Sequence, residues 1–248
     1  MKQVHLKIRR QDSPEDLPYW EEFLVPYQPR QNVVMALQAI RLNPVTAEGI
    51  ATKPVVWECS CLEEVCGSCT MIINGKVRQA CSSLIDKLDQ PIVLEPLSKF
   101  PTVRDLHVDR SKIFAALKKI SAWVVLDGYY DLGEAPQMSF AKQQHAYIFS
   151  RCIMCGACLE ACPQYNFRSD YLGAHALGQV YLLNLHPLGK INTPQRLESL
   201  MGVSGIADCN NSGNCAKVCP KEIPLTEAIS SLGWDTNLFA IKKTLRGG

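Results

Sequence analysis

The chain has 248 residues, which at roughly 150 residues per domain allows one large domain or two modest ones. Its 26 basic and 24 acidic residues leave a formal net charge of +2, and no dense block of Lys and Arg predicts a nucleic-acid partner. No apolar run approaches the ~18 residues of a membrane span, and the start, MKQVHLKIRR, lacks the apolar segment of a secretory signal. We therefore expect a protein of the reducing cytoplasm, where 12 cysteines, about 5% of the chain, indicate metal or redox chemistry rather than disulfides.

The first hundred residues read as a small sheet that grasps a helix. Alternating apolar residues predict a strand over 4–8, and PIVLEPL predicts a late strand over 91–97. Apolar residues at helical spacing predict a helix over 33–42, with Asn32 as its cap and Asn43–Pro44 as its stop. This pattern favours a β-grasp, ferredoxin-like domain.

A first group of cysteines has the spacing of a plant-type 2Fe–2S site, C-x4-C-x2-C followed by a later cysteine. The predicted ligands are Cys61, Cys66, Cys69 and Cys81. Asn74–Gly75 predicts a two-residue hairpin turn that brings Cys81 back beside Cys69. Gly67 and Ser68 are small, so their backbone N–H groups can approach the sulfides.

Two alternatives stay open at this first group. Four cysteines can also hold a structural zinc ion, although zinc sites usually pair two C-x2-C knuckles and this loop has one. Cys59 lies outside the plant-type spacing and is predicted to be a free cysteine that binds no metal.

A second group follows the bacterial-ferredoxin pattern C-x2-C-x2-C-x3-C-P in CIMCGACLEACP. Its cysteines are Cys152, Cys155, Cys158 and Cys162. Adding 57 to these numbers gives Cys209, Ser212, Cys215 and Cys219, and adding 57 to Pro163 gives Pro220. The cysteine positions are therefore duplicated, with one serine in place of a cysteine.

In two-cluster ferredoxins the fourth cysteine of each run binds the other cluster. This crossing predicts a 4Fe–4S cluster held by Cys152, Cys155, Cys158 and Cys219. The remaining set is Cys162, Cys209 and Cys215, with Ser212 at the fourth corner. A serine oxygen replaces a thiolate poorly, so we expect a 3Fe–4S cluster of high potential there. The alternative is a labile 4Fe–4S cluster whose open iron binds substrate, as in a dehydratase.

The second half of the chain reads as helical. Ser111 is predicted to cap a first helix. Thr193 and Pro194 are predicted to be the N-cap and the first residue of another helix, which ends before Gly202, and Thr226 is predicted to begin a third that ends before Gly233. The fold class is thus α+β: a 2Fe–2S β-grasp domain over 1–107 and an α-helical, bacterial-ferredoxin-like domain over 108–248.

The combination of cysteine motifs resembles the iron–sulfur subunit of succinate dehydrogenase and fumarate reductase. These enzymes are the succinate:quinone oxidoreductases of respiration and the tricarboxylic acid cycle. The matching segments are CLEEVCGSC with NGK and Cys81, then CIMCGACLEACP, then CNNSGNCAKVCPKEIP. The resemblance covers nearly the whole chain and implies the same three ligand sets. It also implies a flavoprotein partner with FAD, a membrane-anchor cytochrome b with haem b and quinone, and a peripheral position on the cytoplasmic side of the cell membrane. It implies electron relay, with no catalytic residue on this chain.

One region departs from the ubiquinone-reducing members, which carry Trp shortly after the first CP and His after the equivalent of Cys209. This chain has residues 164–167, QYNF, and Asn210 at these places, which resembles members that use menaquinone. Tyr165 and Phe167 are interpreted as packing aromatics. The isolated histidines are expected to be structural, and Lys217 and Lys221 to be solvated or at an interface. The alternative partner is a soluble dehydrogenase of the heterodisulfide or glycolate type.

Overall fold

The computed structural model describes residues 2–125 and 137–245. Its contacts divide the chain into two compact units. The first comprises Met1–Arg110 and Ile153–Glu160, and the second comprises Ser111–Cys152 and Ala161–Gly248. Because a short segment of the second cysteine motif packs with the first unit, the units are not two uninterrupted stretches of chain. The two domains with a boundary near residue 107 stay a prediction.

Strands occupy the first unit and most of the helices lie in the second. The strands are β1 (Gln3–Arg10), β2 (Tyr19–Pro26), β3 (Thr70–Ile73), β4 (Lys76–Gln79), β5 (Ile92–Glu95), β6 (Thr102–Arg104) and β7 (His107–Val108). The helices are α1 (Val33–Leu42), α2 (Ser111–Lys119), α3 (Phe140–Ser150), α4 (Ala157–Glu160), α5 (Ala174–Leu185), α6 (Thr193–Met201), α7 (Asn214–Lys217) and α8 (Leu225–Leu245). Of these helices, α1 and α4 belong to the first unit.

The sheet of the first unit is mixed, in the order β2-β1-β5-β3-β4. Strands β1 and β5 pair in parallel, and the other neighbours pair antiparallel. The inward side chains of β1, Val4, Leu6 and Ile8, are fully buried in one apolar core with α1. Each buried side chain of this kind stabilises the fold by roughly 1.5–3 kcal/mol. The predicted α+β class with an N-terminal ferredoxin-like domain is confirmed.

Helix α1 begins and ends where the sequence predicts. The side chain of Asn32 accepts a hydrogen bond from the N–H of Met35 at 2.9 Å, and Asn43 is the last cap. The Asn32 amide also donates to the carbonyl oxygen of Cys81 at 2.9 Å. The cap therefore ties the helix to the strand end that carries a predicted ligand.

The predicted hairpin is also confirmed. Ile73 pairs with Lys76, and the turn residues Asn74 and Gly75 have φ of 48° and 72°. Both angles lie in the left-handed region that a type I′ turn requires and that Asn and Gly tolerate best. The late strand is shorter than predicted, since β5 covers Ile92–Glu95 only.

A buried ion pair fastens the end of β1 to the turn between β6 and β7. Nε of Arg10 donates to a carboxylate oxygen of Asp105 at 2.8 Å, and both side chains are fully buried. Asp105 also accepts hydrogen bonds from the N–H groups of Gln11 and Val56 at 3.1 and 2.9 Å. Burial acts to lower the pKa of Arg10, but Asp105 and then Glu21 outweigh it and raise that pKa. The segment leading to Cys61 is thus anchored in the core.

In the second unit α5 packs against α3 and α8, and α6 packs against α8. Helix α5 is buried along its first half, which explains why its sequence shows almost no polar face. In the described part of the chain, no helix has the length and apolarity needed to cross a lipid bilayer.

Several predicted helix ends are wrong. Thr193 does not precede α6 but is its first residue, because a short 3₁₀ turn at Gly189–Asn192 runs directly into the helix. Helix α8 does not stop before Gly233 but continues to Leu245, and Thr226 lies inside it. A glycine within a helix costs only about 1 kcal/mol, which packing of the buried face can offset. Gly202 does end α6, as predicted, whereas Ser111 is the first residue of α2 and not the cap that precedes it.

Candidate metal centres

The loop from Cys61 to Cys69 curls its backbone N–H groups towards thiol sulfurs. The N–H groups of Glu63, Val65 and Cys66 donate to Sγ of Cys61 at 3.4, 3.2 and 3.3 Å. The N–H of Glu64 donates to Sγ of Cys81 at 3.3 Å. Such a nest of N–H groups stabilises negative charge on sulfur, which suits a thiolate that binds iron.

The loop can take this path because several of its residues have left-handed backbone angles. Leu62, Glu64 and Gly67 have φ of 63°, 57° and 75°. At Gly67 an added Cβ would lie 2.7 Å from Cβ of Cys155 and 2.8 Å from the carbonyl oxygen of Ile153. Only glycine fits this contact. The first cysteine loop therefore packs directly against the start of the second motif within the first unit.

The thiols of the first group have unlike surroundings. Burial acts to raise the pKa of Cys66, but hydrogen bonds with Cys61 and Ser68 outweigh it and lower the pKa to about 6. Burial raises the pKa of Cys69 to about 12, and the neighbouring Cys81 acts on this pKa in both directions, its backbone lowering it and its thiol raising it. The structure therefore places Cys69 and Cys81 side by side, as the hairpin predicts. Cys59 is exposed.

The four cysteines predicted for the 4Fe–4S cluster are divided between the two units. Cys155 and Cys158 lie in the first unit, Cys158 within α4, and both are buried. Cys152 follows α3 and Cys219 follows α7, both in the second unit. Met154 and Gly156, with φ of 50° and 82°, bend the chain between the ligands. Their grouping around one cluster stays a prediction.

The predicted 3Fe–4S set meets at one cavity of the second unit. Its wall includes all four residues of that set, Cys162, Cys209, Ser212 and Cys215. The turn through Asn211 and Gly213, with φ of 56° and 71°, leads into α7, which carries Cys215. Burial raises the pKa of Cys215. The crossed pairing of the two cysteine runs stays a prediction, and the four residues of this set share one cavity wall.

Tyr171 is a residue of this cavity that the sequence did not indicate. Its side chain is only 3% exposed and lies on the wall with Cys162, Cys209 and Cys215. Burial first, and then the hydrogen-bonded Cys209, raise the pKa of Tyr171 well above its usual value. The hydroxyl therefore keeps its proton and is available as a donor to Sγ of Cys209.

A polar cleft of about 510 Å³ opens beside the same cysteine. It is lined by Gln164, Asn166, Ser169, Asp170, Tyr171, Ala207, Asp208, Cys209 and Asn210. Gln164 and Asn210 are two of the residues where the sequence departs from the ubiquinone-reducing pattern. These two residues, which differ from the ubiquinone-reducing pattern, therefore line the same cleft beside the predicted 3Fe–4S site.

Other residues noted in the sequence have ordinary surroundings. His145 contacts Tyr181 and Glu227 at 3.0 and 3.4 Å, and His175 is buried with Nε2 3.2 Å from the carbonyl oxygen of Ile113. Tyr165 is buried, as a packing aromatic should be. Phe167 is 51% exposed, so its interpretation as a packing residue is wrong; its ring lies on the surface beside the Arg168 guanidinium.

Within residues 2–125 and 137–245, no three His, Cys, Asp or Glu side chains are grouped so as to chelate a single metal ion. The donor sets described above are instead thiols spread around a loop and a cavity, with N–H groups directed at sulfur. Their chemistry suits clusters with inorganic sulfide. Ligation by the eleven cysteines stays a prediction.

Comparison with protein families gives two matches. Residues 5–115 match the model of a 2Fe–2S iron–sulfur cluster binding domain, and residues 148–223 match the model of a 4Fe–4S dicluster domain. Both groups of cysteines fall inside the matched ranges. The family models therefore support 2Fe–2S character in the first matched range and 4Fe–4S character in the second.

Relatives match over nearly the full length. The succinate dehydrogenase iron–sulfur subunit of Bacillus subtilis is 53% identical over 241 residues, covering 97% of this chain and 95% of the relative. The fumarate reductase iron–sulfur subunit of Haemophilus influenzae is 32% identical and covers 90% and 88%. A chain of the solved Mycobacterium smegmatis Sdh1 complex in the apo form has the same fold, with a TM-score of 0.79, 21% identity and coverage of 94% and 95%.

Proposed function

The chain belongs to the family of iron–sulfur subunits of succinate dehydrogenase and fumarate reductase, and we propose that it relays electrons between a FAD-bearing flavoprotein and quinone at a membrane anchor. Both named activities are oxidoreductions, so the chain is part of an oxidoreductase. The proposal places it on the cytoplasmic side of the cell membrane, held there by an anchor subunit of the cytochrome b type with haem b.

Three ligand sets carry this proposal. They are Cys61, Cys66, Cys69 and Cys81 for 2Fe–2S; Cys152, Cys155, Cys158 and Cys219 for 4Fe–4S; and Cys162, Cys209 and Cys215 for 3Fe–4S. When bound, the clusters supply a series of one-electron carriers. The chain's own residues hold the sulfurs, direct N–H groups at two of them and bury five of the eleven cysteines from water. The contact of Gly67 with Cys155 supports a short path between the first two sets.

The observation that carries the proposal furthest is the cavity shared by Cys162, Cys209, Cys215 and Ser212. Three thiols and one hydroxyl at a single cavity are the donor set expected for a cluster that lacks one iron. Serine oxygen is a hard ligand of high pKa, so it leaves the fourth iron weakly held. A labile 4Fe–4S cluster with an open iron is the alternative for the same cavity.

Ser212→Cys tests the vacant corner in the purified complex. The new thiolate should convert the 3Fe–4S centre towards 4Fe–4S and lower its midpoint potential, because the cluster gains a ligand and an iron. Ser212→Ala is the matched control and should keep the 3Fe–4S electron paramagnetic resonance (EPR) signal of the oxidised protein. An unchanged spectrum in Ser212→Cys, or no such signal in the wild type, contradicts the assignment.

Metal analysis separates this relay from a structural zinc module. The relay requires about nine iron atoms per chain together with acid-labile sulfide. The zinc alternative requires zinc without labile sulfide. A reduced sample should also show a 2Fe–2S EPR signal.

Menaquinone is the proposed quinone. The support is the polar cleft beside Cys209, whose wall includes Gln164 and Asn166 from the QYNF segment together with Asn210; ubiquinone-reducing members carry Trp and His in these two regions. A naphthoquinone analogue should therefore be turned over faster than a benzoquinone by the membrane-bound complex. Faster turnover of the benzoquinone would contradict this part of the proposal.

Co-purification tests the partners. A flavoprotein with bound FAD and an anchor with haem b should co-purify with the chain in a succinate or fumarate oxidoreductase. Purification with a soluble dehydrogenase of the heterodisulfide or glycolate type would support the alternative partner and overturn the membrane assignment.

A further inference from the structure

Arg110, at the end of the first segment of the first unit, reaches both arms of the loop that carries the predicted 2Fe–2S ligands. Its Nη2 donates to the carbonyl oxygen of Ser68 at 2.7 Å and lies 3.5 Å from that of Thr70. Its Nη1 lies 3.4 Å from a carboxylate oxygen of Glu58. Ser68 stands between two predicted ligands, and Glu58 stands just before the loop. One guanidinium therefore joins the two arms.

We propose that Arg110 is a positioning residue that holds this loop closed and raises the potential of the 2Fe–2S centre through its charge. The inference rests on the proposed function, since it needs a 2Fe–2S cluster in the loop. It adds a residue outside the cysteine motifs to the determinants of that cluster.

The surroundings of Arg110 favour an electrostatic role. Its side chain is only 14% exposed, so solvent screens its charge weakly. Glu58 is also held from the other side, with its second oxygen 3.4 Å from Nε2 of His107. The planar guanidinium donates to the backbone while it pairs with the carboxylate, a geometry that an ammonium group cannot reproduce. The pair fixes one positive and one negative charge beside the loop.

These two charges should act on the cluster with opposite signs. Reduction adds an electron, so a nearby cation stabilises the reduced form and raises the midpoint potential. A nearby carboxylate does the reverse. Replacing each by its neutral amide therefore predicts two shifts in opposite directions, whereas a merely structural bridge predicts none or two of the same sign.

The test is an EPR-monitored redox titration of the 2Fe–2S signal in the purified complex. Arg110→Gln should shift the midpoint to a more negative value, and Glu58→Gln to a more positive one. Arg110→Lys, which keeps the charge but loses the planar fork, should recover most of the Arg110→Gln shift. The midpoint of the 3Fe–4S signal should stay unchanged in all three variants and serves as the internal reference.

Wild-type midpoints in both amide variants, or shifts of the same sign, overturn the inference. If Arg110→Gln fails to assemble the cluster, Glu58→Gln and Arg110→Lys decide it: a positive shift in the first and a near wild-type midpoint in the second support the role of charge. An unshifted Glu58→Gln overturns it. Absence of any 2Fe–2S signal in the reduced wild-type complex would instead overturn the proposed function, and this inference with it.

Discussion

At the scale of single residues, Tyr171 should tune the predicted 3Fe–4S centre. Its hydroxyl shares a cavity wall with Cys209, and donation of its proton to Sγ of Cys209 would stabilise the more negative, reduced cluster. Tyr171→Phe removes only that oxygen and should lower the 3Fe–4S midpoint by about 40 mV, the equivalent of about 1 kcal/mol for one electron. EPR-monitored titration measures the shift. Tyr181→Phe, whose hydroxyl contacts His145 instead, is the control and should leave the midpoint in place. Equal 3Fe–4S midpoints for the wild type, Tyr171→Phe and Tyr181→Phe would exclude a hydrogen bond from Tyr171 to Cys209.

His175 should make stability depend on pH. Its ring is fully buried, and this burial lowers its pKa from the ordinary 6.5 to about 4. Between these pH values the imidazole is protonated in the unfolded chain and neutral in the folded chain. The free energy of unfolding is therefore unaffected by titration of His175 above about pH 6.5. As the pH drops towards 4, protonation of the unfolded chain lowers it by at most about 3 kcal/mol.

The variant His175→Gln, which keeps a donor near Ile113, tests this dependence. Denaturant unfolding at several pH values should show a shallower loss of stability below pH 6.5 in the variant than in the wild type. Comparing slopes removes the loss that both proteins share when acid attacks the clusters. Identical slopes would mean that His175 is not the group responsible.

The residues of the site divide into those with a local signal and those without. Spacing alone grouped Cys162, Cys209 and Cys215 with Ser212, because the crossing rule acts on sequence positions. Arg110 and Tyr171 carry no such signal, since each reaches the cysteines only through the folded chain. Long-range contacts of single side chains cannot be read from local pattern.

At the scale of elements, the first cysteine loop requires a glycine at position 67. Gly67→Ala must adopt a φ of +75°, which costs about 1–2 kcal/mol. Its methyl group must also displace Cys155 and the carbonyl of Ile153, which costs a further ~1–3 kcal/mol. We expect lower thermal stability and partial loss of the 2Fe–2S signal in the purified complex.

Gly49→Ala is the matched control for this variant. Gly49 has a similar φ of +83°, but nothing lies within 4 Å of the added methyl group. It should therefore show only the backbone cost, with a full 2Fe–2S signal. If both variants behave alike, the contact between the loop and residues 153–155 does not constrain the loop.

Elements were predictable where one face is buried and a cap or turn residue marks the end. Helix α1 and the hairpin at Asn74–Gly75 meet both conditions and agree with the sequence. Helix α5 lacks a polar face and its Gly173 start gives no side-chain cap, so no pattern indicated it. Strand β2 was missed because its burial alternates only near its end. Tertiary packing overrode the local stop signal at Gly233.

At the scale of the whole molecule, the apolar core of the first unit and the segments near the cysteines differ in what stabilises them. The first unit has a continuous apolar core between its sheet and α1. Segments near the cysteines are irregular by contrast, and α4 and α7 have only four residues each. Helices this short do not persist in water without tertiary support. Binding of the clusters by the cysteines should therefore stabilise these short helices as well as hold the electron carriers in place.

Removal of iron should accordingly unfold the molecule in parts. Treating the purified protein with a chelator under anaerobic, thiol-reducing conditions should abolish amide protection in α4 and α7, since Cys158 and Cys215 lose their anchors. Strand β1 should stay protected, because its inward side chains remain buried against α1 whether or not iron is bound. Hydrogen exchange read by mass spectrometry resolves these segments, and reconstitution with iron and sulfide should restore protection in both helices. Equal loss in β1 and α7 would show that the apolar core of the first unit cannot hold without its cluster.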